Sequence, residues 1–252
     1  MARSLTAKPV NSLSSVTDVL RYLQANASQS HKASVARMGV PPENAYGVSI
    51  AVIRKLARQI GTNHALALSL WQTGNHEARL LAVLLADTKK TGDAQIRRWL
   101  EDVVSWDLCD HLCKILISRR SDACRLVREL APAQEEFIRR AAFSSMANIC
   151  MHRDDLEEEV IDDFVDIISQ YAHDDRNYVK KSVCWALREV GKRDWQCHER
   201  AVLLATELKE SPDKTERWVG REALKELEIL VAVPERKRLL TRKSKMGSKT
   251  LK

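Results

Sequence analysis

The strongest constraint on this chain is an internal repeat. FIRRAAFSSMA from Phe137, YVKKSVCWALR from Tyr178 and WVGREALKELE from Trp218 each open on an aromatic residue, continue with Ile or Val and one variable residue, and then place Arg140, Lys181 or Arg221. The starts lie 41 and 40 residues apart, and HEARLLAVLLA around Arg79 is a looser relative upstream. A period of that length suits a helix pair that buries its apolar face on its neighbours. The predicted fold class is therefore all-α, a curved α-solenoid of HEAT-like (ARM/HEAT type) helix pairs. Chance similarity among amphipathic helices is the competing account of three aligned copies.

The punctuation agrees with helices. Long Pro-free stretches of helical periodicity are broken by MGVPPENAYG at 38–47, GTN at 61, TGN at 73, TGD at 91 and SPDK at 211. Capping signals precede three of the helical runs: Ser49, Ser105 and the Asp174/Asp175 pair. No run alternates at period two, and a 5% aromatic share with 8 Gly and 6 Pro argues against a turn-rich β sandwich. About a dozen helices are expected in one repeat domain over 16–235, between a flexible N-terminus at 1–15 and a basic, disordered tail at 236–252.

Charge has to be located before it is used. The net charge is +7, but the tail from Arg236 holds eight Lys/Arg and no carboxylate, whereas Met1 to Glu235 holds 33 Lys/Arg and 34 Asp/Glu. Within that body, Asp154 to Asp166 has eight carboxylates and no cation, so the rest is positive by difference. A phosphate-facing surface and a solvated acidic helix account for this equally well. No apolar run approaches the ~20 residues of a bilayer span, and Met1 to Ser15 lacks the apolar centre of a signal peptide. The expected place is the cytoplasm, associated with the nucleoid through DNA, or the nucleus in a eukaryote, with no membrane partner. Six cysteines in such a chain are expected to be reduced and to pack as small apolar residues. Cys109 and Cys113 share a helical face, but no second pair completes a metal set.

At about 100° per residue, Leu108, Leu112, Ile115 and Leu116 form one stripe and Trp106, Asp110 and Lys114 fall opposite. Likewise Val179, Val183, Ala186 and Val190 oppose Lys181, Trp185 and Arg188, and Arg140 opposes Ile138, Ala142, Ser145 and Ile149. Asp107, in the first turn of its helix, is expected to serve the helix dipole. A solenoid projects equivalent positions of successive repeats onto one concave surface, which makes these off-core residues a candidate site. The competing reading packs the two tryptophans between repeats and pairs Asp110 with Arg140.

SWDLCDHL, FIRRAA and YVKKSVCWALRE, in this order and spacing, resemble the AlkD family of DNA alkylation repair glycosylases. NAYGVSIAVIRKLAR and LWQTGNHEARLLAVLLAD resemble its N-terminal half, so the similarity covers roughly Leu20 to Leu230. The resemblance implies that a basic concave cleft holds duplex DNA and that cationic alkylated purines, 3-alkyladenine and 7-alkylguanine, are released. It implies that Trp106 and Trp185 contact the deoxyribose of the lesion, that Asp110 is the catalytic carboxylate and that Arg140 contacts DNA. Lys181 and Arg188, beside Trp185, are added as expected DNA-binding residues. A purine alkylated at ring nitrogen three or seven leaves as a neutral base without a general acid. One carboxylate then suffices to stabilise the cationic sugar and place water, with no cofactor, and the protein is expected to be a monomer. Two other functions stay open: a non-catalytic HEAT-like module reading DNA or RNA shape, and a protein-interaction scaffold in which both tryptophans anchor a partner.

Overall fold

Short polar side chains start most of the early helices by accepting amides that lack an intrahelical acceptor. Ser15 takes the Asp18 N–H at the head of α1 (Val16–Ala25), and Ser28 the His31 N–H at α2 (Gln29–Ala36). α3 (Ile50–Ile60) follows Ser49 and stops at Gly61, whose φ of +73° suits glycine. Asn63 and Asn75 cap α4 (His64–Trp71) and α5 (His76–Leu85) through the Leu66 and Ala78 amides. The computed structural model describes residues 15–249, so the expected flexible N-terminus lies, apart from Ser15, outside the described residues. α6 (Asp93–Glu101), α7 (Trp106–Leu112), α8 (Ala123–Leu130), α9 (Glu136–His152), α10 (Glu158–Tyr171), α11 (Asn177–Gly191), α12 (Trp195–Glu210) and α13 (Lys214–Leu227) complete the helices. No helix among the described residues is long and apolar enough to cross a membrane.

Where the sequence suggested one run of repeats, the chain divides into two compact units after Leu116. The first is built around α5, which packs against α1, α3, α4 and α7. Trp71 and Trp99 stack at its side with ring centroids 4.1 Å apart. Gly47, at φ +85°, lies so close to the backbone of Ser28 and Lys32 that a Cβ would come within 2.5 Å of both.

In the second unit α9 packs on α8 and α11, and α11 on α10, α12 and α13. The repeat is visible in these contacts. Phe137 stacks on Tyr178 at 5.4 Å, and Lys180 Nζ lies 5.3 Å from the ring centre of Trp218. The aromatic residues that open the second and third copies, Tyr178 and Trp218, therefore each touch the copy before. A Cβ at Gly220 would run into the backbone of Ala205 and Lys209, so α12 and α13 meet backbone to backbone. The acidic run is not simply solvated: Arg128 pairs with Asp163, Arg153 with Asp155, and Arg200 with both Glu158 and Asp162.

Three expectations need correction. Asp174 does not cap α11, which begins at Asn177 after Arg176; its carboxylate is buried in an ion-pair network instead. An antiparallel pair, β1 (Leu230–Val231) and β2 (Leu240–Thr241), follows α13. With two residues per strand it had no period to show. Of the tail expected to be disordered over 236–252, residues 250–252 lie outside the described residues, and the part before them supplies β2 and a turn at Gly247–Lys249, with Leu239 buried and Arg238 bonded to Glu189 at 2.6 Å. One apolar side chain and one buried ion pair hold a segment whose composition alone reads as loose.

Candidate functional site

α7 divides as its wheel requires. Leu108, Cys109 and Leu112 are buried, while Trp106 is 38% exposed and Asp110 and Lys114 follow on the same side. From Cys113 to Ile117 the helix widens into a π turn. That change of pitch slips the stripe and leaves Ile115, expected in the core, half-buried.

Two connections hold this helix. His76, 3% exposed at the head of α5, places Nε2 2.9 Å from Asp107 Oδ2. Burial alone would raise the Asp107 carboxyl, but the hydrogen bond and charge of His76, with the Ser105 hydroxyl and Leu108 amide, hold it below its ordinary value. Asp107 thus anchors α7 rather than merely serving the helix dipole. On the outer side His111 Nδ1 donates to the Asp107 carbonyl at 2.9 Å, which leaves Nε2 to accept from Arg54 Nη2 at 3.2 Å. Glu77, beside His76 and fully buried, accepts the amides of Tyr46, Gly47 and Val48 at 3.0, 2.7 and 3.1 Å. Sequence reasoning missed His76 and Glu77. Their signal was two polar residues heading the apolar run HEARLLAVLLA, where burial demands partners.

In the second unit, Val179, Val183, Ala186 and Val190 are fully buried along α11. Lys181 is exposed on the other side, and Trp185 and Arg188 are half-buried there. Arg188 Nη1 is 3.1 Å from Glu226 Oε2 of α13, a carboxylate that also receives Lys192 Nζ at 2.7 Å. The approach to α11 is fixed by Asp174. It receives Arg139 Nη1 at 2.6 Å and the Nε and backbone N–H of Arg176 at 2.9 and 3.1 Å. Burial opposes its ionisation, yet these partners bring its carboxyl down to about 2.

Arg140 departs from the wheel. It is 6% exposed, because α9 buries every residue from Ile138 to Cys150 and has no open face there; Nη1 donates to the Tyr178 carbonyl at 2.6 Å. The guanidinium joins two repeats, whereas the equivalent Lys181 and Arg221 are exposed. Among the described residues no group of three or more His, Cys, Asp or Glu is placed to hold a metal ion. Five of the six cysteines are buried, and burial pushes the Cys150 thiol up to about 12.

Residues 19–227 match a family model described as DNA alkylation repair enzyme. No curated protein sequence matches the chain. Among solved structures, one represents a family related to the HEAT-like repeat DNA glycosylases with affinity for branched DNA structures. It is 22% identical, with a TM-score of 0.72 over 82% of this chain and 93% of that one. Likeness at that identity concerns the fold, and it identifies the helix pairs as HEAT-like repeats.

Proposed function

Because the chain belongs to the DNA alkylation repair enzyme family, we propose that it is a DNA N-glycosylase releasing cationic alkylated purines from duplex DNA. The observation that carries this reading is the division of α7: the helix buries its apolar side and leaves Trp106 and Asp110 one turn apart on the other. Asp110 acts by stabilising positive charge on the sugar as the base departs and by orienting the attacking water. The indole of Trp106 lies against that cation. The family resemblance assigns Trp185 the second aromatic contact, and Lys181, exposed on the same helix, is assigned a phosphate. The leaving purine needs no proton, so the reaction runs without a second carboxylate.

The test is release of free base from methylated duplex DNA. Wild type should release 3-methyladenine or 7-methylguanine. Asp110→Asn should retain duplex binding and lose release by roughly 100-fold or more, the scale of an electrostatic contribution to a cationic transition state. An active Asn variant, or a wild type that releases nothing, would sink the proposal. In the second case, recognition of DNA shape without excision becomes the better account, and the affinity of the structural relative for branched DNA favours that alternative.

A further inference from the structure

The residues after 227 lie beyond the family match, yet they are built into the second unit. Arg238 Nη2 reaches Glu189 Oε2 at 2.6 Å, and Glu189, buried on α11, also receives Lys192 Nζ at 2.9 Å. The Leu239 amide donates to the Lys192 carbonyl at 2.9 Å, and the Arg242 amide to that of Ile229 at 2.9 Å. Arg236, Arg242, Lys243, Lys245 and Lys249 stand exposed around this mount. None of the five makes an ion pair among the described residues.

We propose that the C-terminal hairpin and the turn after it form a fixed docking surface for the phosphate backbone of duplex nucleic acid. Continuity supports this: Lys243 lines a shallow cavity of about 300 Å³ together with Arg188, Lys225 and Glu226, so the hairpin adjoins the α11 face that bears Lys181 and Trp185. Composition supports it as well. From 236 to 249 the exposed residues are Arg, Lys and Ser, while Leu239 is buried and Leu240 and Met246 are half-buried. A membrane or protein partner would need an apolar anchor on that surface. Cations held at fixed positions match a regularly charged polyanion instead, where each phosphate neutralised releases counterions. The inference rests on the DNA reading above for its class of partner and is independent of base release.

The experiment measures binding of an undamaged duplex across a salt series by fluorescence anisotropy. Arg242→Gln with Lys243→Gln should flatten the plot of log affinity against log salt by about 1.8 units. Between about 50 and 200 mM salt, wild type then loses about 12-fold more affinity than the variant. The control is Lys209→Gln with Lys214→Gln, exposed lysines in the last turn of α12 and at the first residue of α13, the end of α13 away from the hairpin; it should change the slope by less than about half a unit. A flattening that small in the hairpin variant, or an equal one in the control, overturns the proposal. Arg238→Gln releases the mount while removing one charge, and should flatten the slope by at least as much as the double variant. A loss of about one unit, the value of a single charge, would mean a loose polycation and refute the fixed surface. If Arg238→Gln fails to fold, the exposed double variant still decides whether the hairpin meets phosphate, and hydrogen exchange of the Leu239 and Arg242 amides decides whether it is fixed: exchange at the rate of an open chain refutes the fixed surface. A wild type that binds as described but releases no base would end the glycosylase reading and leave this one standing.

Discussion

Replacing Asp174 with Asn tests the joint that carries α11. The carboxylate sits at about 2 in the folded protein against 3.8 when exposed, a difference that corresponds to about 2 kcal/mol. A lowered folded value means that this contribution is complete above about pH 4 and is lost as pH falls towards 2. Asparagine keeps the shape and one acceptor but strands the buried Arg139 guanidinium. That group retains the Ala131 carbonyl at 3.0 Å and the Tyr171 ring at 4.7 Å. Breaking a buried pair by removing one partner is worth about 3–5 kcal/mol, and the surviving contacts place this case near the lower end. Urea unfolding at pH 7 should therefore show the Asn variant about 3 kcal/mol less stable. Repeated at descending pH, the gap should narrow by about 2 kcal/mol as wild type approaches the carboxyl's own titration. A gap below about 1 kcal/mol at neutral pH, or one that stays constant down to pH 2.5, would refute the reasoning.

Trp106→Ala should slow base release by about 10-fold while Trp106→Phe stays within a few-fold, because the proposed contact needs an aromatic face; equal rates for the two variants would make the indole dispensable. His76→Gln and Asp107→Asn should each lower stability by about 1–3 kcal/mol, and the double variant should be little worse than either. Strict additivity in a thermal-unfolding cycle would show that the pair does not act as a unit. Arg140→Met should reduce stability by about 2 kcal/mol or more through loss of its bond to the Tyr178 carbonyl; a change within about 0.5 kcal/mol would restore the open-face reading of that arginine.

What could be read from the sequence was whatever repeats or is one-sided. The aromatic residues opening the copies at Phe137, Tyr178 and Trp218 gave the helix-pair period, and the half-buried wheels of α7 and α11 placed Trp106, Lys181 and Trp185 correctly. α9 failed the same test because a helix enclosed on all sides has no second face, so the position of Arg140 on the wheel carried no information about exposure. The remaining errors share long sequence separation. Asp174 looks like a cap until Arg139, 35 residues earlier, reaches it, and Asp107 looks like a dipole partner until His76, 31 residues earlier, does the same. Composition also misjudged the tail, since one buried glutamate on α11 outweighs the mutual repulsion of the cations around Arg238.

The three amides gathered by Glu77 give the segment Tyr46–Val48 the opening behaviour of a helix core rather than of a connector. Loop N–H groups ordinarily exchange their hydrogens through small local fluctuations, at almost no free-energy cost. Here an amide can reach water only by leaving a carboxylate rooted in the fully buried start of α5, and that helix contacts most of the first unit. Exchange at Gly47 should therefore follow the collective opening of α5, on the slow timescale of its own buried turns, although no secondary structure is drawn through it. In this unit, rigidity is set by where the acceptor is anchored, not by the conformation of the segment that donates to it.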